Sequence, residues 1–442
     1  MHVLKAKIIL VLFLFSSAIV KSQSPASLSG KVYDFFKAKD YASLDALFDT
    51  TGILKFMVSL EKDRYKKEFE KAGKLKKLIR IDEEPHGFKT RTALALQFNK
   101  EKKTLILVFN KNNKLETCSF TNYMETPFFQ LKGYKGFSEV TDLSVELQTR
   151  DGLSLGANIA FGDTSKQKSP LVILVHGSGP NDRDETLGPN KPFRDLAQGL
   201  AQQGIVSIRY DKRTFAYQFD SKILTDSLTL YEETVYDAID AVALARQFTF
   251  IDTTKIYIIG HSQGAMCAPL IAKLCPTLKG IVMMAGPART ILDLIPEQME
   301  YLAQLDDTVS TMEQMQMTSV NWMIDKIKSP NLNSKTPKGM LMGGSASYWK
   351  SVMNYNQVET AKKLSLPVYI LNGERDYQVT MREFYLWKQA LGNKSNIQFT
   401  SYPKLNHLFL EGEGKPNPTE YNTPGHIPQY VIDDLTRFIK ND

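Results

Sequence analysis

Apolar and polar positions fall into stretches of different rhythm along the chain. From about residue 24 to 130, helical spacing around Val32 to Phe48 and Ile53 to Ile79 gives way to strand-like runs TALALQF, TLILVF and LETCSF. Helices followed by strands predict a small α+β domain. A linker holding Pro127, Gly133 and Gly136 follows, and from residue 138 strands alternate with helices. A hairpin-like pair, Glu139 to Thr149 and Leu153 to Phe161, leads into LVILV (171–175), a helix over Phe193 to Gln203 stopped by Gly204, and IVSIRYD. A long helix over Leu230 to Phe248 comes next. It is followed by KIYIIG (255–260), a helix over Gln263 to Cys275, KGIVMMAG, PVYILNG, a helix over Arg382 to Leu391, NIQFTSYP and a last helix near Tyr430 to Lys440. Continuous apolar strands separated by helices predict a mostly parallel sheet covered on both faces.

Between Pro287 and about Ala361 the alternation stops. Eight of the fifteen methionines lie in this helical-looking segment. Methionine adapts to irregular apolar surfaces, so the segment reads as a helical lid inserted over a cleft, or as a packed helical subdomain.

Composition adds little to this outline. Of 442 residues 43% are apolar and 23% charged, which excludes a disordered or collagenous chain. The first 22 residues read as a secretory leader: Lys5 and Lys7, an apolar run from Ile8, then small and polar residues. The apolar run is short for a bilayer span, so a stable membrane anchor is not expected, and a periplasmic or secreted protein is. Loss of Lys5, Lys7 and Lys21 would lower the formal net charge from +7 to +4. Ten Lys or Arg against four acids between Lys55 and Arg80 hold the remaining excess, interleaved with apolar residues as on the solvated face of an amphipathic helix. Nucleic acid is therefore not an expected partner. Cys118, Cys267 and Cys275 are too few for a disulfide framework.

Chemistry concentrates in the second region. Gly260-His261-Ser262-Gln263-Gly264 follows an expected buried strand and opens an expected helix, the context of a nucleophile elbow. Glycines two residues either side of Ser262 permit the sharp turn, and the helix N-terminus favours a developing negative charge. A serine nucleophile needs a histidine base and an orienting acid, here in the order Ser, acid, His. Asp376 follows PVYILNG, with Glu374 as a rival, and His407 follows NIQFTSYP, with His426 as a weaker competitor. Both preferred residues stand at C-terminal strand ends, where open α/β sheets bind ligands. The loop His176-Gly177-Ser178-Gly179 after LVILV offers the Ser178 amide as an oxyanion donor beside that of Gln263. No HExxH, CxxC, GxxxxGK[ST] or strand-following GxGxxG occurs, so no cofactor or metal is expected.

In combination HGSGP, RYDKR, GHSQG, the Asp of NGERD and the His of LNHLF resemble the α/β-hydrolases over about residues 140 to 442. The nearest branch is the serine aminopeptidase and monoacylglycerol-lipase-like group, close to dienelactone hydrolase-like esterases. That resemblance implies Ser262 as nucleophile, Asp376 as acid, His407 as base and Ser178 with Gln263 as oxyanion donors. Dienelactone hydrolases proper use a cysteine where this chain has Ser262. The N-terminal module is similar to a domain of unknown function fused upstream of such hydrolases in gut bacteria. The expected activity is hydrolysis of a small acyl ester through an acyl-enzyme. An aminopeptidase or acyl peptidase acting on short peptides is the enzymatic alternative, with Asp182, Asp184 and Glu185 as candidates to recognise a free amino terminus. A hydrolase-fold binding protein without activity is the remaining one.

Overall fold

The computed structural model describes residues 25–48, 65–86, 89–110, 113–123, 140–164, 167–217, 220, 225–305 and 308–440. The expected leader (1–22) and the linker around Pro127, Gly133 and Gly136 lie outside these residues. The chain divides into two compact units, one formed mainly by residues up to Tyr123 and one mainly by those from Met124 onward.

The N-terminal unit combines helices Pro25–Ala38 and Tyr41–Asp45 and a helical stretch over 65–72 with a four-stranded sheet. Its strands are β1 (Leu75–His86), β2 (Lys89–Phe98), β3 (Lys102–Phe109) and β4 (Leu115–Asn122), in that order across the sheet, with β3 and β4 antiparallel. An aromatic core of Phe36, Tyr65, Phe69, Phe98 and Phe120 joins helices to sheet; Phe36 and Phe69 stack at 4.8 Å. The helix expected to run to Ile79 ends at Ala72. Gly73 takes φ +93°, closing the helix in left-handed backbone, and Asn99 Oδ1 accepts the Lys74 N–H at 2.6 Å. The chain then leaves as β1, so the basic run between Lys66 and Arg80 spans a helix and a strand rather than one helical face.

The second unit holds an eight-stranded sheet. Its strands are β5 (Thr141–Gln148), β6 (Ser154–Phe161), β7 (Ser169–Val175), β8 (Val206–Tyr210), β9 (Ile251–His261), β10 (Gly280–Met284), β11 (Val368–Gly373) and β12 (Ile397–Tyr402). Their spatial order is β12-β11-β10-β9-β7-β8-β6-β5. The six strands from β12 to β8 are parallel, and β6 pairs antiparallel with both β8 and β5. Alternate residues of the central strands feed two separate cores. Leu171, Ile173, Ile256 and Ile258 face one, while Val172, Leu174, Tyr257 and Ile259 face the other. This is why these strands read as unbroken apolar runs. Each buried Ile, Leu or Val contributes about 1.5–3 kcal/mol relative to exposure.

Helices cover both faces: Pro192–Gln202 and Gln429–Lys440 on one side, Asp237–Ala245 and Gln263–Leu274 on the other. The helix expected from Leu230 begins as a π-helical turn, Tyr231–Tyr236, before the α-helix. After β7 the chain adds β8 on one side and then crosses to add β9 on the other. The carboxyl ends of β7 and β9 therefore form the point where strand order reverses, the usual ligand crevice of such sheets. Helices Ile291–Ala303, Thr311–Lys328, Ala346–Met353 and Gln357–Lys362 lie between β10 and β11. None of the described helices is long and apolar enough to cross a membrane.

Candidate active site

Ser262 stands at the carboxyl end of β9 as the N-cap of helix Gln263–Leu274, with φ +52° and ψ −113°. A serine held in left-handed backbone is a strained elbow, and its neighbours show why glycine flanks it. A Cβ on Gly260 would lie 2.3 Å from the Gly264 oxygen, and one on Gly264 would lie 2.0 Å from the Val175 oxygen. Strand, turn and helix approach too closely for any side chain. The Ser262 N–H is anchored on the Met284 carbonyl of β10 at 2.9 Å.

Asp376 lies in the turn after β11. It is buried, with Oδ1 accepting the amides of Gln378 at 2.7 Å and Val379 at 2.8 Å. Its Oδ2 faces Nδ1 of His407, in the loop after β12, at 2.7 Å. The rivals are placed elsewhere. Glu374 accepts the Ser401 hydroxyl at 2.8 Å, and Nδ1 of His426 lies 3.0 Å from Asp195. Among the described residues neither Ser262 Oγ nor His407 Nε2 makes a hydrogen bond; such contacts often tighten only when substrate is bound.

Ser178 and Gln263 both line one cavity of about 670 Å³. Among the described residues neither of their backbone amides has an acceptor within the chain. The side chain of Gln263 is locked, donating to Glu233 Oε2 at 2.9 Å and Thr234 Oγ1 at 3.1 Å. Lys212, almost wholly buried, donates to the Gly177 carbonyl at 2.9 Å and lies 3.2 Å from Glu233 Oε1. It thereby ties the loop carrying Ser178 to the π-helical turn. The apolar part of the cavity is formed by Leu228, Ile291, Ile295, Met342, Tyr348 and Trp349. Among the described residues, Met342 is the only cavity-lining methionine from the 287–361 segment; Met312 and Met315 instead stand 65% and 64% exposed on helix Thr311–Lys328.

The acids suggested for amino-terminus recognition are committed inside the fold. Asp182 caps the Thr186 amide at 2.8 Å, and Asp184 pairs with Arg209 at 2.8 Å and Lys191 at 3.3 Å. Glu185 accepts the Gly177 amide at 2.6 Å and lies 3.1 Å from Nδ1 of His261. None of the three lines the cavity; Glu233 does. The RYDKR charges serve the same internal purpose. Asp211 binds Arg183 at 2.8 Å, and Arg213 binds Asp237 at 2.6 Å.

Two buried histidines, His176 and His261, shift in opposite directions. His176, packed against Phe193 and Tyr210, has its pKa pushed down to about 4, because burial penalises the imidazolium. Burial also opposes charge on His261, yet the facing Glu185 carboxylate lifts its pKa above the ordinary imidazole value. Glu185 itself, despite burial, is held below the usual carboxylate range by His261, His176 and the Gly177 amide. Lys212 stands in RYDKR and His261 in GHSQG, but nothing in the sequence pairs Lys212 with Glu233 or Glu185 with His261. No cluster of metal-ligating side chains occurs among the described residues.

A family model described as serine aminopeptidase, S33, matches residues 167–414. Over 375 residues the chain is 32% identical to esterase EstD of Thermotoga maritima, covering 84% of this chain and 83% of that protein. Among solved structures it is similar to Est1E from Butyrivibrio proteoclasticus, at 17% identity and a TM-score of 0.43 over 67% of this chain and 98% of that one. The Pyrococcus furiosus esterase Pf2001 gives 15% identity and a TM-score of 0.45 over 71% and 96%.

Proposed function

The chain belongs to the serine aminopeptidase (S33) family of α/β-hydrolases and is a serine hydrolase, and from that premise we propose that it is an exported esterase working through Ser262, His407 and Asp376. One observation carries the assignment. A buried Asp376–His407 pair, after β11 and β12, and a serine at φ +52°, after β9, stand at carboxyl ends of strands of one sheet.

In this reading His407 Nε2 accepts the proton of Ser262 Oγ as that oxygen attacks the ester carbonyl. Asp376 keeps the Nδ1–H of the ring directed and stabilises the imidazolium that forms. The tetrahedral oxyanion accepts from the amides of Ser178 and Gln263, beside the helix N-terminus. Collapse expels the alcohol, which takes the proton from His407, leaving an acyl group on Ser262. Water, deprotonated by His407, attacks that acyl group; Ser262 Oγ leaves, takes the proton back from His407, and the acid departs. The apolar wall of Leu228, Ile291, Ile295, Met342 and Trp349 would receive the acyl chain, with the 287–361 segment as its lid. An ester is favoured over a peptide with a free amino terminus because Glu233, the buried acid of the cavity wall, is paired with Lys212, and the other lining acid, Asp220, is exposed to solvent. Export is proposed on residues 1–22, and N-terminal sequencing of protein recovered outside the cytoplasm should begin near Ser22 or Gln23.

The decisive experiment is Ser262→Ala assayed on short p-nitrophenyl esters, with fluorophosphonate labelling of the parent. Hydrolysis and labelling should both vanish in the variant; full turnover by Ser262→Ala would refute the assignment.

A further inference from the structure

Glu185 has no part in the acyl transfer above, yet it is buried and occupies left-handed backbone at φ +52°, which glutamate adopts only at a cost. It joins separate pieces of the site. Its Oε1 accepts the Gly177 amide at 2.6 Å and lies 3.1 Å from Nδ1 of His261, the residue before Ser262. The same His261 ring sets Nε2 2.8 Å from the carbonyl oxygen of His407, with ring centroids 4.6 Å apart.

The protons on His261 follow from its partners. A carbonyl oxygen only accepts, so Nε2 carries a hydrogen. A neutral ring would then turn the Nδ1 lone pair toward a carboxylate oxygen, which repels; a second proton makes the same contact attractive. Nδ1 and Oε1 meet off the line of a straight hydrogen bond, so charge rather than direction binds them.

We propose that Glu185 and His261 form a buried carboxylate–imidazolium pair that positions the three catalytic loops. It holds the oxyanion loop through the Gly177 amide, the elbow through His261 and the base loop through the His407 carbonyl. The inference rests on the assignment of Ser262 and His407 made above. Glu185 and His261 are positioning residues, since neither touches the reacting atoms. The ionisable groups facing the pair are His176 from the end of β7, and Asp376 and His407 from the loops after β11 and β12, with Lys212 acting on His176. The raised pKa of His261 and lowered pKa of Glu185 agree with a standing charge pair.

Two measurements test it. Glu185→Gln keeps an acceptor for Gly177 but removes the charge, and it should lower kcat about 10- to 100-fold with KM within about 3-fold, as expected of slightly misplaced catalytic groups. Nitrogen NMR of ¹⁵N-histidine-labelled Ser262→Ala protein at pH 7 should show His261 with both ring nitrogens protonated, assigned by its loss in His261→Gln. Adding Glu185→Gln should convert that signal to a neutral ring. A kcat within twofold of wild type, a loss confined to KM, or a neutral His261 in the Ser262→Ala protein would each overturn the proposal. If Glu185→Gln fails to fold, the Ser262→Ala spectrum still decides. The two readings fail separately: active Ser262→Ala removes the triad, whereas inactive Ser262→Ala with unaltered Glu185→Gln removes only the pair.

Discussion

Nδ1 of His407 lies 2.7 Å from Oδ2 of Asp376, although 31 residues separate them in the chain. The contact arises because β11 and β12 run parallel and adjacent, so that the loops after them open at the same sheet edge. Asp376 spends its other oxygen on two backbone amides, which fixes the carboxylate before any substrate arrives. Asp376→Asn keeps the size and much of that bonding but cannot stabilise an imidazolium. Ester hydrolysis should fall roughly 10³- to 10⁴-fold in kcat. Steady-state kinetics against a short acyl ester checks this, and a loss under tenfold would displace Asp376 from the role.

The elbow's tightness gives a stability prediction. A Cβ at position 264 would sit 2.0 Å from the Val175 carbonyl oxygen, a backbone atom of a central strand that cannot move aside. Gly264→Ala should therefore destabilise the hydrolase unit by about 3 kcal/mol or more, in the range of severe overpacking. Thermal denaturation should show a clear fall in Tm; an unchanged Tm would mean that β7 and the elbow are not packed as described.

His176 makes stability depend on pH. Its pKa lies near 4 in the folded protein against an ordinary 6.5, so between those values the unfolded chain binds a proton that the folded one refuses. Stability must then decrease as pH falls through that window, by up to about 3 kcal/mol from this group. His176→Phe retains the aromatic contacts with Phe193 and Tyr210 and removes the titration. Urea unfolding at pH 7 and pH 4.5 should show a smaller loss in the variant than in the wild type. An equal loss would show that His176 does not couple folding to protons.

Chain-length selectivity tests the cavity. Ile295 lines it from helix Ile291–Ala303, within the segment between β10 and β11. Ile295→Trp should lower kcat/KM for an octanoyl ester at least about 10-fold while sparing the acetyl ester, since filling a pocket excludes bulk by a few kcal/mol at most. Equal effects on both esters would separate the cavity from acyl binding.

The second unit's architecture was legible in the sequence because its strands are buried on both faces. LVILV and KIYIIG could be read as central strands without knowing their neighbours, and GHSQG between a strand and a helix required an elbow wherever the fold placed it. Glycine punctuation marked Gly204 as a helix stop for the same local reason. Local pattern failed where two periods overlap. LKKLIRID carries apolar residues at spacings compatible with helix or strand, and only pairing into the four-stranded sheet made β1 of it. The Met-rich segment was visible as a change of rhythm, but composition could not tell that its methionines mostly avoid the cavity. Chain order likewise named Asp182, Asp184 and Glu185 without saying what they meet. Thr186, Lys191 and Gly177 meet them within the same loop, but Arg209, facing Asp184, and His261, facing Glu185, are brought there from β8 and the end of β9 because both strands flank β7. Strand, turn and helix are dictated by short-range sterics and burial, and these the sequence carries by itself. Which charge faces which depends on sheet order and register, contacts between residues tens to hundreds of positions apart, and only the tertiary structure decides them.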